Sequence, residues 1–166
     1  MRGKLVVGNW KMNGGLAANA ALLVALAAGW QARPDRQLAV CVPYPYLAQA
    51  RDVLAETPVA WGAQDVSQHA AGAYTGEVSA GMIVECGCGY VLVGHSERRQ
   101  YFGETDDIVA AKAKAALATG LTPIVCVGET LAERDAGRWR EVVTRQLDAA
   151  VAVLGADIAL AVLAYE

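Results

Sequence analysis

Residues 91–99 read Val91-Leu92-Val93-Gly94-His95-Ser96-Glu97-Arg98-Arg99, an apolar run that ends abruptly in a histidine, a hydroxyl group and three charges. The apolar part is typical of a buried strand, and Gly94 lets the backbone turn sharply after it. Ser96 is a residue type that caps helices, and Glu97 places a negative charge in a first helical turn. The sequence therefore predicts a strand, a tight turn that carries an imidazole, and a helix whose dipole can tune His95.

The same alternation runs along the whole chain, which has short apolar runs between helix-length segments. Consecutive apolar positions are typical of parallel strands that are buried on both faces. The predicted strands are 5–9, 38–42, 59–63, 90–93, 122–127 and 158–164, and the predicted helices are 16–31, 46–56, 79–86, 105–119 and 138–154. The pattern predicts a single α/β domain over residues 1–166.

Composition excludes several classes of function. Fourteen Lys and Arg residues against seventeen Asp and Glu residues give a net charge of -3, so we expect neither nucleic-acid nor membrane binding. The apolar segment 16–30 contains Asn19 and is shorter than the ~20 residues of a membrane span, so we expect a packed helix. The first residues do not resemble a secretory signal, and we expect a cytoplasmic protein.

The cysteines and the second histidine do not indicate a metal site. Cys41 and Cys126 lie inside apolar runs, whereas Cys86 and Cys88 are separated by one residue, a spacing that matches neither redox pairs nor zinc ligands. We expect buried, reduced thiols. His69 lies in a polar loop, and we expect no metal and no cofactor.

Polar residues follow several predicted strands. The carboxyl ends of parallel strands lie at one face of a sheet or barrel, so these residues should gather there. They are Asn9, Lys11, Gln64, Asp65, the segment 95–99 and Glu129. The sequence thus predicts a functional site at that face.

Six motifs together resemble the triosephosphate isomerase family over residues 6–166. They are GNWKMN (8–13), GAQD (62–65), GAYTGEVS (72–79), GHSERR (94–99), YFGET (101–105) and CVGET (126–130). The resemblance implies a (β/α)8 TIM barrel, of which this chain supplies about the first six βα units. It also implies interconversion of dihydroxyacetone phosphate and D-glyceraldehyde 3-phosphate in glycolysis and gluconeogenesis, by proton transfer through an enediol(ate).

The resemblance assigns roles to four side chains. Glu166 matches the base and His95 the electrophile, which this family keeps neutral at a helix N-terminus and which is itself an established example of such tuning. Lys11 matches the cation that faces the substrate phosphate and the charge that develops on the enediolate. Asn9, on the same side of the strand end, should orient the substrate and Lys11. On the residues alone, His95 could instead be structural and Lys11 a solvated surface lysine.

Two neighbouring residues match supporting positions. By resemblance, Ser96 holds the glutamate when substrate is absent, and Glu97 pairs with Lys11. Adjacent acidic and basic residues more often form a structural salt bridge. We keep that interpretation for Arg98, with Glu104 as its partner.

The segment that begins at Gln64 and ends at Ser79 is long, polar and rich in glycine. In the family this loop inserts into a neighbouring subunit, where Thr75 reaches towards Asn9 and Lys11 of the partner subunit. The resemblance therefore implies a homodimer. On the residues alone, loop 64–79 could be a mobile surface loop.

A (β/α)8 barrel needs eight strands and typically ~250 residues, whereas this sequence predicts six strands in 166 residues. By family pattern, a lid after Glu166 and glycine-rich phosphate loops of two further strands complete the site. We therefore expect a domain that is incomplete at its C-terminus and a chain that is inactive alone. The alternative function is that of an inactive fragment that acts only as a folding or interaction module.

Overall fold

The structure is a computed structural model that describes residues 3–166. Six strands alternate with helices along the chain. The strands are β1 (Lys4–Asn9), β2 (Arg36–Val42), β3 (Val59–Ala63), β4 (Tyr90–Val93), β5 (Thr122–Val127) and β6 (Val162–Tyr165). The α-helices are α1 (Leu16–Gly29), α2 (Leu47–Leu54), α3 (Ala80–Glu85), α4 (Ser96–Phe102), α5 (Asp106–Leu117), α6 (Leu131–Asp135) and α7 (Trp139–Leu154). Two 3₁₀ helices span Tyr44–Tyr46 and Gly155–Leu160.

The strands form one parallel sheet in the order β1-β2-β3-β4-β5-β6, so that each strand pairs with the next along the chain. The sheet is curled, with helices on its outer face. The fold is a partial TIM barrel of about six βα units, as the sequence predicts. Within residues 3–166, β1 and β6 each pair with one neighbouring strand only.

Apolar side chains cover both faces of the sheet. Val91 and Val93 point outwards into the larger core beneath the helices, whereas Leu92 points inwards into a smaller cluster with Cys41, Ile124 and Cys126. Neighbouring residues of β4 therefore pack against different layers. This arrangement explains why the strands are read as continuous apolar runs.

The predicted elements differ from the structure at two places. The predicted strand 158–164 begins as the 3₁₀ helix Gly155–Leu160, which closes with a hydrogen bond from the Ala161 N–H to the Ile158 carbonyl, and only Val162–Tyr165 is a strand. The apolar side chain of Ile158 packs on the larger core without joining the sheet. The predicted helices also omit α6, because five residues are too short to show a helical period.

Helix α1 packs on the larger core through one side only, where Leu26 and Ala27 lie against it beside the buried Leu23. Only Asn19 and Leu23 are buried in it, while Leu16, Leu22 and Val24 are exposed. An alanine-rich helix that is apolar on all sides gives no pattern from which to choose its buried face. Among the helices of residues 3–166, none is both long and apolar enough to cross a membrane.

Leu54, at the end of α2, tests the larger core because its side chain is fully buried. We expect Leu54→Ala to lower the free energy of unfolding by about 2–5 kcal/mol, since it removes apolar contacts and leaves a cavity. Leu22→Ala, on the exposed side of α1, is the control and should change it by less than about 1 kcal/mol. Urea unfolding measures both, and equal losses would contradict the assignment of this core.

Candidate active site

The turn after β4 places the histidine. Gly94 has φ of +69°, and a Cβ built on it would lie 2.6 Å from a Val109 methyl carbon, so only glycine fits. His95 then caps α4, and its Nδ1 accepts a hydrogen bond from the Glu97 backbone N–H at 3.2 Å. The short strand, the glycine and the helix start together fix the ring.

This cap determines which nitrogen of His95 carries the proton. Because Nδ1 accepts the Glu97 N–H, the hydrogen of a neutral imidazole lies on Nε2. A carboxylate oxygen of Glu97 lies farther from the same Nδ1, at 3.5 Å. Nε2 lies 2.8 Å from Glu166 Oε1 and donates its hydrogen there. Nε2 of His95 is thus the donor nitrogen of a largely buried ring.

Glu166 reaches His95 from the end of β6. Its backbone N–H donates to the Val127 carbonyl at 2.9 Å, which extends the pairing of β5 with β6. A Cβ on Gly128 would collide with the Glu166 backbone carbonyl, so the close approach of these two segments requires glycine there. Oε2 of Glu166 accepts the Ser96 backbone N–H at 2.8 Å. Residues 70 positions apart in the sequence thereby meet.

Lys11 lies after β1 in an unusual backbone conformation. It is the one non-glycine residue with positive φ, +52°, in the described chain. Its backbone N–H donates to Asn9 Oδ1 at 2.9 Å, and its carbonyl accepts the Gln64 amide at 2.9 Å. Its ammonium lies 3.0 Å from Glu97 Oε1. Glu97 therefore contacts Lys11 through its carboxylate and His95 through its backbone N–H.

The predicted site residues of β1, β4 and β6 are brought together at the carboxyl ends of these strands. Asn9, His95 and Glu166 line a cavity of about 320 Å³ above the inner apolar cluster. Thr75 lies apart from them, exposed in loop 64–79. A larger groove of about 880 Å³ lies on the helix side, where Glu166 lines it but His95 does not. The smaller cavity brings Asn9, His95 and Glu166 together, whereas Lys11 lines a neighbouring cleft of about 520 Å³ with Asn9 and His95.

A cluster of four charged side chains lies beside the site. Arg98 pairs with Asp65 at 3.0 Å and with Glu104, the expected partner, while Lys112 pairs with Asp65 at 2.7 Å and also with Glu104. Each cation thus bridges both carboxylates, and the cluster carries no net charge. Sequence reasoning missed Lys112, because a lysine within a helix normally indicates a solvated face; its position among apolar residues of α5 was the available signal.

Burial and ion pairing act against each other on the two carboxylates. Burial raises the pKa of Asp65 above its ordinary value, despite the hydrogen bond from Lys112. Burial also disfavours the charged form of Glu104, but hydrogen bonds from Lys112 and Arg98 outweigh it and hold the pKa of Glu104 below its ordinary value. Glu104 is therefore the carboxylate that this cluster stabilises most in its charged form.

An imidazole that donates through Nε2, a carboxylate and a lysine at the carboxyl ends of parallel strands define a (β/α)-barrel protein with a site suited to proton transfer. In the described residues, no group of three or more His, Cys, Asp or Glu side chains is arranged to hold a metal ion.

Comparison with known proteins identifies the family. The family model described as "Triosephosphate isomerase" matches residues 4–166, and the chain belongs to this family. Proteins named triosephosphate isomerase from Thiobacillus denitrificans and Delftia acidovorans are each 61% identical to it, and one from Cupriavidus necator is 60% identical. Each alignment covers 100% of this chain and 66–67% of the relative. The chain thus spans about two thirds of the length of these relatives.

Glu104→Gln tests the ion-pair cluster. We expect it to lower the free energy of unfolding by about 3–5 kcal/mol at neutral pH, because Lys112 and Arg98 keep only one charged partner. Since the folded chain lowers the pKa of Glu104, its contribution is present above its ordinary pKa of 4.5 and is lost as pH falls through the folded value. The difference between the two proteins should therefore shrink in acid.

Urea unfolding at neutral and acid pH measures this difference. Glu85→Gln, at an exposed position of α3, is the matched control and should change stability little at any pH. A Glu104→Gln protein as stable as the parent at neutral pH would show that the cluster does not stabilise the fold.

Proposed function

We propose that this chain carries the catalytic groups of a triosephosphate isomerase, which interconverts dihydroxyacetone phosphate and D-glyceraldehyde 3-phosphate. The observation that carries the proposal is the 2.8 Å contact between Nε2 of His95 and Oε1 of Glu166. The relatives named triosephosphate isomerase support it, because their sequences align with the whole of this chain. Both groups lie at the carboxyl ends of strands, where barrel enzymes bind their substrates.

Glu166 acts as the base of this reaction. Without substrate, its carboxylate accepts hydrogen bonds from the Ser96 N–H and from His95 Nε2. To take a proton from the carbon beside the substrate carbonyl, the carboxylate exchanges these contacts for the substrate. It then returns this proton to the former carbonyl carbon. The hydroxyl proton of the substrate passes to the former carbonyl oxygen, beside His95 Nε2, so the ketone becomes the aldehyde without net gain or loss of a proton.

His95 acts as the electrophile. Once Glu166 turns to the substrate, the Nε2 hydrogen is free to bond to the carbonyl oxygen, which becomes negatively charged in the enediolate. The Glu97 N–H at Nδ1 keeps the ring oriented during this step. Such a donor is most effective because it is fixed before charge develops.

Lys11 supplies the positive charge. Its ammonium stabilises both the substrate phosphate and the developing enediolate, and the second interaction contributes to rate because it strengthens in the transition state. Glu97 holds the ammonium at 3.0 Å, and Asn9 holds the backbone N–H of Lys11. Asn9 also lines the cavity, where its amide can contact a substrate oxygen.

The relatives are longer than this chain, so activity is best tested in a chimera. Residues 1–166 would be joined to the corresponding last third of the Thiobacillus denitrificans relative. We expect the chimera to interconvert the two triose phosphates in a coupled assay. His95→Asn and Glu166→Asp should each lower kcat by about 10²–10⁴-fold, because each displaces a proton-transfer group.

Glu85→Asp, on exposed α3, is the matched control and should leave kcat unchanged. The 166-residue chain alone is assayed beside the chimera and should show no turnover. A chimera that is folded by circular dichroism yet inactive would contradict the proposal and favour an interaction module.

We further propose that the protein is a homodimer assembled through loop 64–79. A cleft of about 520 Å³ lies beside Asn9 and Lys11, and its wall includes the exposed side chains of Met12, Tyr101 and Phe102. An apolar surface of this kind favours a protein partner over water. Loop 64–79 of a second copy is the proposed occupant of this cleft, since its Thr75 side chain is exposed.

Thr75→Asp tests the dimer. A carboxylate at the loop tip would lose its hydration beside Lys11, whose ammonium is already paired with Glu97, so we expect the equilibrium to shift from dimer to monomer. Thr144→Asp, at an exposed position of α7, is the control and should not change the molecular mass of the assembly in solution. Sedimentation equilibrium of the chimera measures both, and a Thr75→Asp dimer of unchanged affinity would exclude this loop from the interface.

We also propose a cytoplasmic location. Burial raises the pKa of Cys41, Cys88 and Cys126 to about 12, so these thiols stay protonated and unreactive. Buried free thiols are typical of proteins from reducing compartments. Fractionation of cells that produce the tagged protein checks this location.

A further inference from the structure

The backbone of Lys11 needs a restraint in addition to the local hydrogen bond from its N–H to Asn9 Oδ1. Its φ of +52° lies in the left-handed region, which is strained for a non-glycine residue. The side chain is about half exposed, so packing does not fix it. Hydrogen bonds to the backbone must therefore hold this conformation.

Gln64 makes such hydrogen bonds from the end of β3. Its side-chain Nε2 donates to the Lys11 carbonyl at 2.9 Å and to the Cys41 carbonyl at 3.0 Å. The Cys41 carbonyl also accepts the Trp10 N–H at 3.1 Å, so it belongs to the pairing between the β1 end and β2. One amide group thus ties the Lys11 backbone to the ends of β2 and β3.

The ammonium end of Lys11 is held by a different element. Glu97 on α4 contacts it at 3.0 Å, whereas Gln64 follows β3. The position of the lysine is defined only if these two elements keep a fixed separation.

An ion pair fixes that separation. Asp65 follows Gln64, Arg98 follows Glu97, and the two charged groups pair at 3.0 Å. Both side chains are largely shielded, and Lys112 bonds to the other oxygen of Asp65 at 2.7 Å. Contacts therefore form a closed ring through Lys11, Gln64, Asp65, Arg98 and Glu97.

We propose that Gln64 is a positioning residue for Lys11, and that the Asp65–Arg98 pair locks it to Glu97 so that the lysine faces the substrate phosphate. The proposal rests on the proposed function. Its structural part concerns the Lys11 conformation alone and can be tested without activity.

The first test uses Gln64→Met in the 166-residue chain. Methionine keeps the length of the side chain but has no N–H to donate. A residue with positive φ gives a strong NOE between its own amide and Hα protons, and we expect this NOE at Lys11 in the parent chain. It should weaken in Gln64→Met because the carbonyl is released.

Gln49→Met is the matched control. Gln49 is also half-buried and also donates to a backbone carbonyl, that of Leu16 at 2.7 Å, but it does not touch Lys11. This variant should keep the Lys11 NOE. Asp65→Asn is a second variant. It removes the ion pair with Arg98 but keeps the Gln64 amide, and it should weaken the same NOE.

The second test uses the kinetics of the chimera. Misplacement of Lys11 should lower kcat/KM for dihydroxyacetone phosphate by about 10²-fold in Gln64→Met, mainly through a higher KM, because His95 and Glu166 stay in place. If Gln64 had only a structural role, Gln64→Met would lower the free energy of unfolding without this selective rise in KM. Unchanged NOE and KM in Gln64→Met, or equal changes in Gln49→Met, would overturn the proposal. An inactive chimera with the NOE lost only in the ring variants would overturn the proposed function and leave the positioning role standing.

Discussion

The site depends on one hydrogen bond, from the Glu97 backbone N–H to Nδ1 of His95. It makes Nδ1 an acceptor and so places the imidazole hydrogen on Nε2, opposite Glu166. The same residue extends its carboxylate to Lys11. A displacement of Glu97 would therefore disturb the proton donor and the cation together. Gly94 supports this bond, since the turn brings the ring onto the helix start only with φ of +69°.

The sheet topology explains why the short helix α4 is important for the geometry of the site. Lys11 follows β1 and Glu166 follows β6, which are the two outer strands of the sheet as described. Strands so far apart in the order cannot set the distance between their ends directly. Helix α4 contacts both, through Glu97 to Lys11 and through the Ser96 N–H to Glu166. Because α4 follows the central strand β4, it relates the two outer strands to each other.

The sequence predicts much of this arrangement because local signals were strong. The apolar run before Gly94 and the polar residues after it place His95 at a strand end, and β3, β4 and β5 have the predicted bounds. The roles of Lys11 and Glu166 came from family resemblance, since nothing local distinguishes them from solvated residues. The strand prediction was wrong at residues 158–160, because an apolar triplet is compatible with a 3₁₀ helix as well as with a strand.

The ion-pair cluster shows a different limit of sequence reasoning. A lysine in a helix ordinarily lies in water, and the burial of Lys112 depends on carboxylates from two other segments, Asp65 after β3 and Glu104 before α5. No local sequence pattern predicts that these side chains come together. Sequence can place each of these charges on an element, but only the packing of three elements makes them neutralise one another.

The first N–H groups of a helix have no partner within the helix, and α4 uses two of them at the site. The Ser96 N–H bonds to Glu166 and the Glu97 N–H to His95. Proton abstraction by Glu166 would release the first of these donors and leave the second in place. In the proposed function, the helix start thus holds Glu166 by a contact that must open and His95 by a contact that must stay closed. A seven-residue helix can serve both because the two donors are adjacent in sequence and point to different strands.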